Sequence, residues 1–279
     1  MVTAQYIRAS VRALGLSNSP LCVHSSLRSF GWVDGGADAV ADGLLAERCT
    51  ILVPSFSWGF AVPPPRHLWF LRNGAGLDCE QWAGSRAGVG RIYSPDTNEL
   101  DQDDMGAIPA AVLGRPERVR GNHPLCSFAA VGPMARELVS AQQPLRVYAP
   151  LEALARAAGS VVLMGVGLKS MTLLHLAEQM AGRAPFRRWA NGPDRQPMAV
   201  EAGGCSDGFE SFAPLLQPIA REAKVGESRW RVFPAQEAAE LAAEAIQSNP
   251  RITHCGDAQC GRCNDAVLGG PVLQDREGP

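Results

Sequence analysis

Charge of one sign is what this sequence most lacks. Its 279 residues carry 26 Lys+Arg against 28 Asp+Glu, a formal net charge of −2, and only 19 % are charged at all. Without a cationic surplus, nonspecific nucleic-acid binding driven by counterion release is disfavoured. Long apolar runs are missing too: nothing approaches the roughly 18 consecutive apolar residues of a spanning helix. Met1 to Leu16 sets Arg8 and Arg12 among polar residues, so neither a secretory signal nor a membrane anchor is read there and a cytoplasmic protein is expected. No internal repeat and no low-complexity linker divides the chain. Cysteine is sparse, with 8 in all, and Cys22, Cys49, Cys79 and Cys126 stand singly, as small buried hydrophobes rather than a disulfide framework.

What is present is a globular composition, 46 % hydrophobic, able to bury a large core. Apolar runs at Leu21 to His24, Thr50 to Val53, Cys126 to Val131 and Ser160 to Gly165 read as strands. Helical periods fall at Ala37 to Glu47, Met105 to Leu113, Pro133 to Ala141, Pro150 to Ala158, Met171 to Ala181 and Ala235 to Gln247. Pro133 and Pro150 suit first-turn positions, where a missing N–H costs nothing. The alternation predicts an α/β fold with a mostly parallel or mixed sheet. Residues 1–250 are expected to form one domain and 251–279 a cysteine-rich extension, with 269–279 disordered. The Gly/Pro-rich stretch from Ala61 to Gly90 reads as a long loop or flap.

Chemistry concentrates after the last of these early strands. Ser160 to Glu178 is an apolar strand, a glycine turn and then a helix, so Gly165, Gly167 and Ser170 fall just beyond a strand's carboxyl end, where open α/β sheets bind ligands. Thr172, His175 and Glu178 are spaced three apart and share a helix face. A carboxylate beside an imidazole fixes its tautomer and raises its basicity. Spacing alone is equally satisfied by a packed histidine and a solvated acid. The zinc-protease pattern is excluded, because the second histidine of His-Glu-x2-His is missing. A second strand runs into Val23-His-Ser-Ser-Leu27, whose hydroxyls and amides suit phosphate or an ordinary turn.

Five segments, in order, carry a resemblance: Val23-His-Ser-Ser-Leu27, Thr50-Ile-Leu-Val-Pro-Ser-Phe56, Met105-Gly-Ala-Ile-Pro109, Arg120-Gly-Asn-His-Pro-Leu-Cys-Ser-Phe-Ala-Ala-Val-Gly132 and Thr172-Leu-Leu-His-Leu-Ala-Glu178. Over roughly residues 6 to 233 the chain resembles the acetyl-CoA-dependent aminoglycoside 3-N-acetyltransferases, a family of antibiotic-resistance enzymes. The resemblance implies a three-layer α/β/α fold and direct acetyl transfer from acetyl-CoA to an amine, without an acyl-enzyme. It implies His175 as general base and Thr172 as donor to the thioester carbonyl. It places coenzyme contacts at His24, Ser25, Ser26 and Leu27, and at Gly165, Val166, Gly167, Ser170 and Met171. Glu201 matches a carboxylate that supports the histidine or receives the cationic substrate. Gly203 departs from the pattern, since some members carry an aspartate there, which leaves Glu201 or Glu178 to orient the imidazole. Lys169 and Gly121 also depart from it.

An aminoglycoside ammonium must lose a proton before attacking a thioester, and a positioned imidazole contributes about 10²–10⁴-fold to such a rate. Asp101, Asp103 and Asp104, with Glu178 and Glu201, are candidates to attract a polycation. Trp32, Trp58 and Trp82 are candidate cleft walls. A Cys126–His123 pair for nucleophilic acyl transfer is the competing chemistry, opposed by the apolar strand around Cys126, where a thiol is inert. His123 is expected instead at the rim, contacting substrate or the CoA thiol.

The tail reads Thr253-His-Cys-Gly-Asp-Ala-Gln-Cys-Gly-Arg-Cys-Asn264. Cys260 and Cys263 form a Cys-x2-Cys turn suited to zinc, with His254 as third ligand and Cys205 as fourth. Cys255 is set aside because it adjoins His254. Such a site would pin the extension beside Glu201. A same-fold acyltransferase for a non-antibiotic amine, and an inactive zinc-stabilised binding protein, are the rival readings. Monomer and homodimer stay open.

Overall fold

A computed structural model describes residues 1–65, 70–74 and 88–273. Its strands are β1 (Pro20–Ser25), β2 (Thr50–Pro54), β3 (Phe70–Arg72), β4 (Val119–Arg120), β5 (Phe128–Val131), β6 (Ser160–Met164), β7 (Phe186–Asn191), β8 (Pro197–Ala202), β9 (Arg221–Val225), β10 (Ser228–Pro234) and β11 (Val272–Leu273). Seven of them make one sheet in the order β4-β5-β2-β1-β6-β10-β9. β1 runs parallel to β2 and β6. The outer pairings, β5 with β2 and β4, and β10 with β6 and β9, are antiparallel. The sheet is therefore mixed around a parallel centre.

Alternation of side chains along the buried strands makes two cores. Leu21, Val23, Ile51, Val53, Val162 and Met164 face α1 (Ala4–Ala13), α2 (Gly36–Leu45) and, beyond a short α3 (Gln102–Met105), α4 (Ala107–Leu113). Cys22, Leu52, Val161 and Leu163 face the opposite layer. That layer holds α5 (Ala135–Val139), α6 (Ala149–Arg156), α7 (Leu173–Met180) and, past a short α8 (Ala213–Leu216), α9 (Ala235–Ser248). The result is the three-layer α/β/α arrangement. Leu173 and Leu174 of α7 are fully buried, each worth about 1.5–3 kcal/mol, and they fix the helix that carries His175.

Several expectations shift. The helix expected from Met105 is split by Gly106, whose φ of +82° favours glycine, into α3 and α4. Pro133 lies outside α5, whereas Pro150 does occupy the first turn of α6. The run from Cys126 forms a strand only from Phe128. The α1 helix and the β7–β8 hairpin were not anticipated.

The extension is fastened to the body. Residues 250–253 form a 3-10 turn, then α10 (Gly261–Val267) follows, and β11 pairs antiparallel with β3. Ala184 N–H donates to Gly269 at 2.9 Å, so residues 269–273 are paired rather than disordered; 274–279 lie outside the described residues. The described parts of the 61–90 stretch reach both β7 and this extension. Val62 N–H donates to Trp189 at 2.9 Å, and Gly74 N–H donates to Asp265 at 2.7 Å. Among the described residues no helix is long and apolar enough to cross a membrane.

Candidate active site

The carboxyl ends of the adjacent parallel strands β1 and β6 open into a cavity of about 720 Å³. Ser26 N–H ties to the Met164 carbonyl at 3.0 Å, which holds the two exits side by side. Gly165 turns the chain with φ +70°, and a Cβ there would lie 2.0 Å from Ser29 Oγ, so no other residue fits. A 3-10 turn over Leu168–Ser170 then delivers Thr172 and α7 to the cavity wall.

Of the residues expected to hold coenzyme, His24, Ser25, Val166, Ser170 and Thr172 line this cavity. Ser25 Oγ is buried and has no hydrogen-bond partner among the described residues. Ser26, Leu27, Gly165 and Gly167 shape the turns behind it, and Met171 is fully buried in the core and touches no cavity space. Burial pushes the His24 imidazole down to about 4, so it is neutral near pH 7.

His175 faces the cavity and is oriented from three sides. Its Nδ1 lies 2.8 Å from Glu178 Oε2. The other carboxylate oxygen, Oε1, accepts from Arg183 at 2.6 Å, and Arg183 also donates to Thr253 Oγ1 at 2.8 Å and to the Pro250 carbonyl. Tyr148 stacks on the imidazole at 6.2 Å between centroids and 14° between planes, while Phe209 meets it edge-on at 4.8 Å. Gly203 closes the side near Nε2: a Cβ there would stand 3.0 Å from Nε2 and Cδ2. An ionised carboxylate only accepts, so Nδ1 is the donor of this contact, and in the neutral ring Nε2 is then the acceptor.

Other candidates are placed elsewhere. Glu201 does not reach the imidazole; it accepts from Val147 N–H at 3.1 Å and pairs with Arg187 at 3.1 Å. Burial raises its pKa, against the pull of those two partners. His123 is not at the rim but fully buried, because its Nδ1 accepts the amides of Leu125 and Cys126 at 3.3 and 2.9 Å. Burial lowers it to about 4 and pushes the Cys126 thiol up to about 12, so that pair is no activated nucleophile. Asp101 is committed to the Trp58 amide at 2.7 Å, Asp103 is exposed outside the lining, and Asp104 alone of the three borders the cavity. Trp58 lines the cavity, Trp32 is exposed on the surface, and Trp82 lies outside the described residues. Gly121 is explained by Gln142, whose Oε1 sits 1.9 Å from where a Cβ would be.

Sequence reasoning missed Tyr148, Arg183, Arg188 and Arg262 as site residues, although a cation five places after Glu178 at a helix end was a readable signal. It also named a tail histidine that the gathered thiols leave out. His254 is engaged at both ring nitrogens, by Gly256 N–H at 3.0 Å and Asn264 Oδ1 at 3.1 Å. Cys255 instead joins Cys205, Cys260 and Cys263, with the four sulfurs within 4.8 Å of one another.

Fold and geometry together define an α/β/α enzyme class with an oriented imidazole on the wall of a ligand-sized cavity. The family model described as aminoglycoside 3-N-acetyltransferase matches residues 22–247. The chain belongs to that family. It is 33 % identical over 187 residues to aminoglycoside N(3)-acetyltransferase IX of Micromonospora chalcea, a match covering 64 % of this chain and 63 % of that protein. It is 31 % identical over 276 residues to the aminoglycoside N(3')-acetyltransferase-like protein YokD of Bacillus subtilis, covering 88 % and 93 %. The crystal structure of aminoglycoside acetyltransferase AAC(3)-Xa superposes with a TM-score of 0.71 at 28 % identity, covering 88 % of this chain and 93 % of that one.

Proposed function

We propose that the protein is a cytoplasmic N-acetyltransferase that moves an acetyl group from acetyl-CoA to the 3-amino group of an aminoglycoside, with His175 as general base. The supporting observation is the Glu178–His175 contact of 2.8 Å on the wall of the cavity at the β1 and β6 exits. The unpartnered Ser25 hydroxyl and the cationic Lys169 and Arg262 in the lining fit a phosphate-bearing coenzyme. Acetyl-CoA supplies an activated acyl thioester. Nε2 of His175 takes the proton of the acceptor's ammonium, and Glu178 stabilises the imidazolium so formed. The freed amine attacks the thioester carbonyl, and as the carbon–sulfur bond breaks the imidazolium returns its proton to the departing thiolate; the neutral ring then accepts the second N–H proton, which leaves the amide and passes to solvent. Thr172 Oγ1 donates to the thioester carbonyl, where negative charge develops.

His175→Ala tests this. Loss of about 10²–10⁴-fold in acetylation, with retained CoA binding by calorimetry, is the expected result; near-native turnover would remove the assignment. A second reading is favoured by the charges in the cavity. Among its described lining residues Lys169, Arg188 and Arg262 are cationic and Asp104 is the acid, which suits an acceptor with fewer positive charges than an antibiotic aminosugar. Thiol release measured against a panel of aminoglycosides and monoamines separates the two.

A further inference from the structure

The thiols of the tail have no part in acetyl transfer, yet the fold gathers them. Cys205 comes from the loop after β8, Cys255 from the segment after the 250–253 turn, and Cys260 and Cys263 from the start of α10. Their sulfurs lie within 4.8 Å of one another, and all four are free. Neutral thiols are weak donors and acceptors, so four together gain little from their own contacts. Cys263 Sγ also accepts the Cys255 amide at 3.4 Å, which ties the Cys255 backbone to the cluster. A tetrahedral zinc thiolate with Zn–S of about 2.3 Å sets its sulfurs about 3.8 Å apart. Every pair here reaches that spacing by moving about 1 Å or less.

We propose that Cys205, Cys255, Cys260 and Cys263 bind one structural zinc ion as a closed four-thiolate site. Hard cations such as calcium and magnesium require oxygen ligands and are excluded by the donor set. Four sulfurs fill the tetrahedron and leave no open position, so the metal holds structure and takes no substrate. Binding releases four protons as four thiols become thiolates. The site joins three segments that bear on the imidazole. Gly203, which abuts His175, is two residues before Cys205. Thr253, which accepts from the arginine holding Glu178, is two residues before Cys255. Arg262 of the cavity wall lies between Cys260 and Cys263. Zinc is thus a positioning element for the His175–Glu178 pair.

The test uses the full chain purified without chelator from zinc-supplemented cells. Mass spectrometry for metals is expected to find about one zinc per chain, released to a chromogenic chelator as a mercurial reagent titrates four thiols. Cys255→Ser should lose the metal and His254→Ala should keep it. Less than about 0.1 zinc per chain, iron in its place, a disulfide among the four cysteines, or zinc kept by C255S and lost by H254A would each overturn the site. The mercurial titration on the unmutated protein keeps the result decisive if C255S fails to fold. Because metal content is read directly, this outcome is independent of whether the acetyl-transfer reading holds. The positioning role adds a further requirement: the pH profile of kcat/KM must change when zinc is removed, and an unchanged profile refutes it.

Discussion

Glu178→Gln is the most informative single substitution, because Arg183 dictates what the new amide must do. The native carboxylate spends Oε1 on Arg183 at 2.6 Å and Oε2 on His175 Nδ1 at 2.8 Å. A guanidinium only donates, so glutamine must turn its carbonyl oxygen to Arg183 and its NH₂ to the imidazole. Nδ1 then has to accept, the ring proton moves to Nε2, and the atom facing the cavity loses its lone pair. The substitution is nearly isosteric and keeps both hydrogen bonds, yet it selects the wrong tautomer. A general base contributes about 10²–10⁴-fold, so kcat/KM should fall by that factor, or about 3–5 kcal/mol of transition-state stabilisation. Thiol release with saturating acetyl-CoA measures the rate, calorimetry should show unchanged CoA binding, and nitrogen chemical shifts of His175 report the tautomer directly. A variant within threefold of the native rate, or one whose ring still carries its proton on Nδ1, refutes the reasoning.

Cys126→Ala should leave acetylation within about twofold, because a thiol raised to about 12 by burial is not a nucleophile near neutral pH; a large rate loss in a folded variant would revive the acyl-enzyme route. Gly203→Ala should cut kcat by about tenfold or more with little change in melting temperature, since its Cβ must displace an imidazole 3.0 Å away; native kcat would show that the ring has room to move. Stability should depend on pH through His24 and His123, both held neutral by burial at about 4. The unfolded chain binds protons at these sites below its ordinary value near 6.5 while the folded chain does not. The contribution is therefore complete above about pH 6.5 and is lost as pH falls toward 4, by about 2 kcal/mol per histidine at pH 5. Urea unfolding that gives the same stability at pH 7 and 5 would contradict it.

The sequence made the parallel centre legible because β1, β2 and β6 are continuous apolar runs, as strands buried on both faces must be. It hid the edge of the sheet, where β9 (Arg221–Val225) carries three charged residues in five, and it hid the β7–β8 hairpin, whose charged Arg187 and Arg188 mask the strand pattern. The His175–Glu178 pair was readable because both residues sit on one helix, where spacing fixes which side chains meet. Glu201 could not be sorted from Glu178 that way. Its direction is set by Arg187 across the hairpin and by the Val147 amide from before α6, contacts that span 54 residues in the second case.

The same distinction accounts for the tail. A rule based on neighbours in sequence rejects Cys255 because His254 adjoins it, and a rule based on direction reverses the choice. Successive side chains in extended backbone point opposite ways, and His254 has φ −73° and ψ 130°. One of the two adjacent residues therefore faces α10 with its ring nitrogens satisfied by Gly256 and Asn264, while the other faces Cys205. What remains for the ligand set is four sulfurs of one chemical kind. A mixed His–Cys₃ site and a Cys₄ site differ in whether His254→Ala releases metal, so that single variant decides between proximity in sequence and direction in space as the guide to this site.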